Sequence, residues 1–268
     1  MHNRPLNQAA GLMELAVVDT TKLLAVVSHG DENAELPLLW RICAALVGFG
    51  YSVTVLDGTM EESHENPGLE QMLDFAYWRG ISSENPSWRI LPARYGLMQL
   101  CEQAQQNPKG LFNLNELAQR FKHDNVLLVY SDARTLSLML QELPLRPLLA
   151  TSNSKTSLLT SYVALKRLLL NGKIEPTIAH VKLHNDETPA QSPANPGKGL
   201  VECAQQFLNY HVHAVDVELP ATDDGPCIAA ERLALAMLEL GTPLYADWQP
   251  SHFKSNVPRS FENPVRSH

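Results

Sequence analysis

Three carboxylates crowd one short stretch of this chain. Asp31, Glu32 and Glu35 fall within Ser28-His29-Gly30-Asp31-Glu32-Asn33-Ala34-Glu35-Leu36-Pro37, between an apolar run and a helical one. A turn from strand to helix is where backbone N–H groups collect phosphate, provided that glycines let the backbone approach, a Lys supplies charge and a Ser or Thr hydroxyl reaches Mg²⁺. This stretch has a single glycine, no Lys, and Leu36 at its end. Two like charges a few ångströms apart repel by on the order of 1 kcal/mol in water and several times more in a drier site. The stretch is therefore expected to reject a triphosphate.

Other groups invite a chemical reading and lose it on inspection. Asp57 sits in Asp57-Gly58-Thr59, a turn sequence in which an Asp side chain serves its own backbone. Asp132 lies two residues past Tyr130, which ends the apolar run Val126–Tyr130; together Asp57 and Asp132 would be the acids of a rearranged metal site. Ser28-His29 and Ser251-His252 pair a nucleophile with a base, yet there is no Gly-x-Ser-x-Gly elbow and spacing names no acid partner, which removes the hydrolase reading. His211 and His213 share one face of a strand but lack a third ligand, so they read as surface residues. No catalytic residue, metal ligand or cofactor is assigned.

The elements around these residues alternate. Lys22–Val27 is a short apolar run rich in branched residues, followed by the polar loop, a helical stretch Leu38–Phe49 and a second apolar run Ser52–Leu56: a βαβ unit. Continuous apolar runs are what parallel strands need when helices cover both sheet faces, and Val126–Tyr130, Pro147–Thr151 and Thr177–Leu183 repeat the pattern. Helical segments fall between them, at 68–77, 97–105, 114–121, 136–140, 157–170 and 199–208. His211–Pro220 mixes apolar and polar residues as an edge strand does, and 226–240 closes the fold as an amphipathic helix. The fold class predicted is α/β, a doubly wound, mostly parallel sheet with helices on both faces.

A chain of 268 residues with 44% apolar content fits one sizeable domain. Its net charge of −8 argues against nucleic acid or anionic lipid as a partner. Cys43, Cys101, Cys203 and Cys227 lie far apart, with neither zinc nor disulfide spacing, which points to a reducing cytoplasm. No apolar run is long enough for a membrane span, and residues 1–12 do not read as a signal peptide. Three regions are expected: 1–18, an N-terminal docking segment; 19–241, the α/β domain; and 242–268, a flexible tail broken by Pro243, Pro250, Pro258 and Pro264.

From Lys22 to Leu240 the sequence resembles the MinD/ParA family of P-loop ATPases. Strand, loop, helix and a second strand ending in Asp57 keep that family's spacing. Against its S-G-K-G-G-x-G-K-T pattern, Gly30 stands in place of the signature Lys, Asp31 and Glu32 in place of glycines, Glu35 in place of the phosphate Lys, and Leu36 in place of the Mg²⁺-binding hydroxyl. Tyr130 takes the position of the acidic residue that ends the Walker B strand. The likeness continues through Pro67–Gly80 and Trp88–Leu100, through Ala150–Leu168 with Thr156, Ser157, Tyr162 and Lys166 in register, and through Val217–Asp223. What it implies is the P-loop NTPase-like fold with a degenerate phosphate loop, a pseudo-ATPase without a nucleotide cofactor.

Asn7-Gln8-Ala9-Ala10-Gly11-Leu12 is similar to the D-Q-A-x-x-L-R motif that FlhG-type flagellar-number regulators carry ahead of their first strand, with Asn7 and Met13 departing from it. That resemblance implies a short helix engaging an FlhF-type, signal-recognition-like GTPase. Leu6, Ala9, Leu12, Met13 and Ala16 share a helical face on a stretch too short to be stable alone, so it docks either on a partner or on its own domain. Trp78, with Phe75 and Tyr77, reads as core packing or as part of a partner-facing helix. The prolines of the tail exclude the continuous amphipathic membrane anchor usual in the family. The function expected is control of flagellar number or placement through protein–protein contacts, with a homo- or heterodimer as the assembly to look for. Rival expectations are a subunit of another MinD-like system (cellulose secretion, cell division or partition) and a residual ATPase using Asp57 and Asp132.

Overall fold

The computed structural model describes residues 20–73, 87–106, 112, 114–141, 143–183, 196–220 and 227–245. The candidate docking residues Asn7, Gln8, Ala9 and Leu12, and Trp78, lie outside them.

Seven parallel strands form one sheet: β1 (Thr21–Ser28), β2 (Val53–Asp57), β3 (Trp88–Pro92), β4 (Val126–Asp132), β5 (Leu148–Thr151), β6 (Thr177–Leu183) and β7 (His213–Leu219), in the order β3-β2-β4-β1-β5-β6-β7. The apolar runs are continuous because both faces are covered. Leu23, Ala25 and Val27 of β1 enter one core, and Leu24 and Val26 enter the other. Two helices, α1 (Glu32–Gly48) and α8 (Ile228–Leu240), cover the second core. The first is built with α2 (Leu69–Leu73), α3 (Arg94–Gln106), α4 (Leu114–Arg120), α5 (Ala133–Met139), α6 (Lys155–Arg167, continued by a wider turn over Leu168–Gly172) and α7 (Pro196–Leu208). This is the doubly wound α/β class expected, and β7 is an edge strand as its mixed pattern suggested.

Several boundaries differ from the sequence reading, two of them with consequences for the site and the tail, and β3 has no counterpart among the apolar runs. Helix α1 begins at Glu32, six residues before the stretch read as helical, and Pro37 lies inside it. The ten-residue polar loop thus shrinks to His29, Gly30 and Asp31. The first turn of α1 is polar because Glu32 and Asn33 face solvent and Glu35 serves the helix end. The tail boundary also moves: Thr242–Leu244 forms β8, antiparallel to the start of β1, with Leu244 buried. The short β5 pairs with β1 only at Val26 and Val27, leaving the edge of Thr21–Leu23 open for this eighth strand. Pro243 is tolerated here because β8 is a short strand paired on one side only. Among the described residues no helix is long and apolar enough to cross a membrane.

Candidate functional site

In sheets of this class the crevice lies at the carboxyl ends of the strands where the chain reverses its direction of travel. The chain leaves β1 toward β2 on one side and leaves β4 toward β5 on the other, so the switch point is the carboxyl end of β1. There the sheet register sets Ser28 beside Asp132 and Val26 beside Tyr130.

The side chain that fills this point is Glu35. It sits in the first turn of α1, fully buried, and its Oε1 accepts hydrogen bonds from the backbone N–H of His29 (3.0 Å) and of Asp31 (2.9 Å). Asp31 is the N-cap of α1 but makes no side-chain cap of its own, so Glu35 reaches back to satisfy the cap N–H. The phenol of Tyr130 donates to Glu35 Oε2 at 2.5 Å. All three partners are donors, the pattern an ionised carboxylate calls for. Burial and, second, this bond to Glu35 push the Tyr130 phenol well above its ordinary pKa, while a hydrogen bond with the Ser28 side chain acts against them.

His29 closes the same point from the other side. Its Nε2 lies 2.7 Å from the carbonyl oxygen of Ala150 and 3.4 Å from Glu35 Oε1, and its Nδ1 is 2.8 Å from Thr160 Oγ1. A carbonyl only accepts, so Nε2 carries a proton that also faces the carboxylate. Asp31 Oδ2 accepts from Ser152 Oγ at 2.7 Å, tying the loop to the end of β5. Gly30, between them, adopts φ +92°, open to a glycine without strain.

The structure thus gathers Ser28, His29, Asp31, Glu35 and Tyr130 into one hydrogen-bonded group. Glu32, Asn33 and Leu36 point outward, and Ala34 is buried in the core. The three acids are not one cluster: a single carboxylate is hydrogen-bonded inside the loop, a second is tethered, and only Glu32 faces solvent. Asp57 accepts from the backbone N–H and hydroxyl of Thr59 at 2.9 and 2.6 Å, a turn residue as its sequence suggested. Asp132 is the N-cap of α5, its two oxygens taken by Arg134 N, Thr135 N and Thr135 Oγ1. Among the described residues no three His, Cys, Asp or Glu side chains are placed to hold a metal ion.

Sequence reasoning missed the Glu35–Tyr130 pair, although a signal for it existed. In the resemblance read from the sequence, an acid stands at one position for a cation and a phenol at the other for an acid, two changes that are complementary when the positions touch, as Glu35 and Tyr130 do. It also missed buried His180, held between Asp216 Oδ1 and Asn153 Oδ1 at 3.0 Å each, because nothing local in β6 marks residues that meet only across strands.

No protein-family model matches the chain, and no curated protein matches it in sequence. Among solved structures, cobyrinic acid a,c-diamide synthase from Mycobacterium smegmatis, with bound ATP analogue and magnesium, superposes with a TM-score of 0.50 and 15% identity over 82% of this chain and 95% of that one. The two chains share a fold. The MinD cell division ATPase of Pyrococcus furiosus (TM-score 0.47, 12% identity, 82% and 99% of the two chains) and MinD of Aquifex aeolicus (0.44, 11%, 84% and 100%) are less similar in shape.

Proposed function

We propose that the chain is a catalytically inactive MinD/FlhG-like protein that works through protein–protein contacts in the control of flagellar number or placement. The observation that carries the inactive half is the Glu35 carboxylate inside the strand-to-helix turn. The N–H groups of His29 and Asp31, which a bound phosphate would need, already donate to it. The synthase sharing this fold was solved with an ATP analogue and magnesium, so the fold by itself does not bar a nucleotide. Bringing a γ-phosphate to this loop would set its charge against a buried carboxylate with no Lys to offset either. The residues present therefore do not fit a magnesium nucleotide, and no hydrolytic step is derived.

The contact half rests on the N-terminal Gln8, Ala9 and Leu12, which match the FlhG-type motif, and on the helical spacing of Leu6, Ala9, Leu12, Met13 and Ala16 in the sequence. The partner expected is an FlhF-type GTPase. The full chain should show no Mg²⁺-dependent ATP turnover and should co-purify with such a GTPase, the complex being lost in Gln8→Ala/Leu12→Ala. Turnover abolished by Asp132→Ala would overturn inactivity. A complex undiminished by the double substitution would overturn the docking role, and capture of the chain by a different division or secretion machine in place of the GTPase would overturn the flagellar assignment.

A further inference from the structure

Helix α6 presents an outer face that no described residue covers. Leu159 is 60% exposed, Val163 57% and Leu170 48%, while Ser157, Ser161, Ala164 and Leu165 on its other side are buried. At about 100° per residue, Lys155, Leu159, Val163 and Lys166 fall in one stripe about 80° wide, and exposed Leu170 follows in the wider turn that continues the helix. Leu159 to Lys166 and Val163 to Leu170 are each one heptad apart, the spacing that lets a second helix lie alongside. Exposed large apolar side chains in line, not scattered singly, mark an interaction face.

The charge on this face says what would cover it. Residues 152–174 carry Lys155, Lys166, Arg167 and Lys173 and no Asp or Glu, in a chain whose net charge is −8. Among the described residues none of these four is in an ion pair. An anionic bilayer would attract this stripe and repel the rest of the molecule, and three apolar side chains give it little to bury. We infer that the outer face of α6 docks an acidic amphipathic helix of a partner protein, with Leu159, Val163 and Leu170 as the apolar contacts and Lys155, Lys166 and Arg167 pairing with the partner's carboxylates. This rests on the reading that the chain works through protein contacts.

The test uses the full chain and two synthetic helical peptides with the same leucine spacing, one flanked by Glu and one by Lys, followed by fluorescence anisotropy. The Glu peptide should bind at least about tenfold more tightly, a difference of roughly 1.4 kcal/mol, and should weaken as salt is raised. Leu159→Ser/Val163→Ser should lower its affinity by about tenfold or more, and Lys166→Glu/Arg167→Glu should reverse the preference toward the Lys peptide. These positions are exposed, so thermal melts of the variants should stay close to that of the parent. Equal binding of the two peptides, or binding unchanged by the stripe substitutions, would overturn the inference. So would vesicle binding or self-association that uses this stripe in place of the peptide. ATP binding by the parent protein would overturn the proposed inactivity and leave this result standing.

Discussion

Removing the Glu35 carboxylate strands three donors at once: the N–H groups of His29 and Asp31 and the Tyr130 phenol. A buried donor left without its acceptor costs about 1–3 kcal/mol, so Glu35→Ala should destabilise the fold by about 3 kcal/mol or more, read as a lower denaturant midpoint with unchanged m-value. A midpoint within error of the parent would mean that the carboxylate does not hold the loop. Tyr130→Phe takes the donor from Glu35 Oε2 and the phenol partner from the Ser28 side chain, and should cost about 1–3 kcal/mol at neutral pH. It carries a second signature. The folded Tyr130 pKa is raised above the ordinary value of 10.0, so the folded state holds this proton more tightly than the unfolded chain does. The stability it contributes is present below pH 10 and is lost as pH rises through the folded value. Burial likewise pushes the Cys43 and Cys101 thiols up, each to about 12, adding a loss that starts near 9. The stability of Tyr130→Phe should therefore fall less steeply above pH 10 than that of the parent, measured by urea denaturation at a series of pH values. Parallel curves would contradict a buried, carboxylate-bonded phenol.

At the scale of elements, β8 is the part of the fold that a Pro-rich tail concealed. Leu244 is 4% exposed and packs in the core shared by α2 through α7, so Leu244→Ala should cost about 2–5 kcal/mol. A chain ending at Gly241 should lose at least as much, seen in its thermal midpoint. A midpoint unchanged by either would return these residues to the tail. The inner strands of the sheet were legible in the sequence because parallel strands buried on both faces read as unbroken apolar runs, and β1, β4 and β6 lie within two residues of where those runs placed them; β3, a part-exposed edge strand, carries no such run. The start of α1 was not, because its first turn is polar for a local reason: Glu35 replaces the missing cap of Asp31, and composition cannot separate a helix end that caps itself from a loop. The candidate site was legible residue by residue, as departures from a phosphate loop. Its contacts were not, since Glu35 meets Tyr130 across 95 positions and His29 meets Thr160 across 131. A sequence shows such meetings only when a fold has already brought the strands together.

For the molecule as a whole, the sheet order puts its crevice where Glu35, His29 and Tyr130 close it, and the helices that leave that point keep their places through hydrogen bonds within the chain. A doubly wound domain offers a rigid frame and the surfaces that frame displays, and the exposed stripe of α6 is one of these surfaces. The central claim is that the protein's own carboxylate holds the place of a nucleotide's phosphate. The most direct test is equilibrium titration of the purified full chain with ATP and ADP, with and without Mg²⁺, by calorimetry. The account predicts no saturable heat at millimolar nucleotide. Saturable, Mg²⁺-dependent binding would contradict it, requiring Glu35 to leave the loop and the protein to be treated as a nucleotide switch.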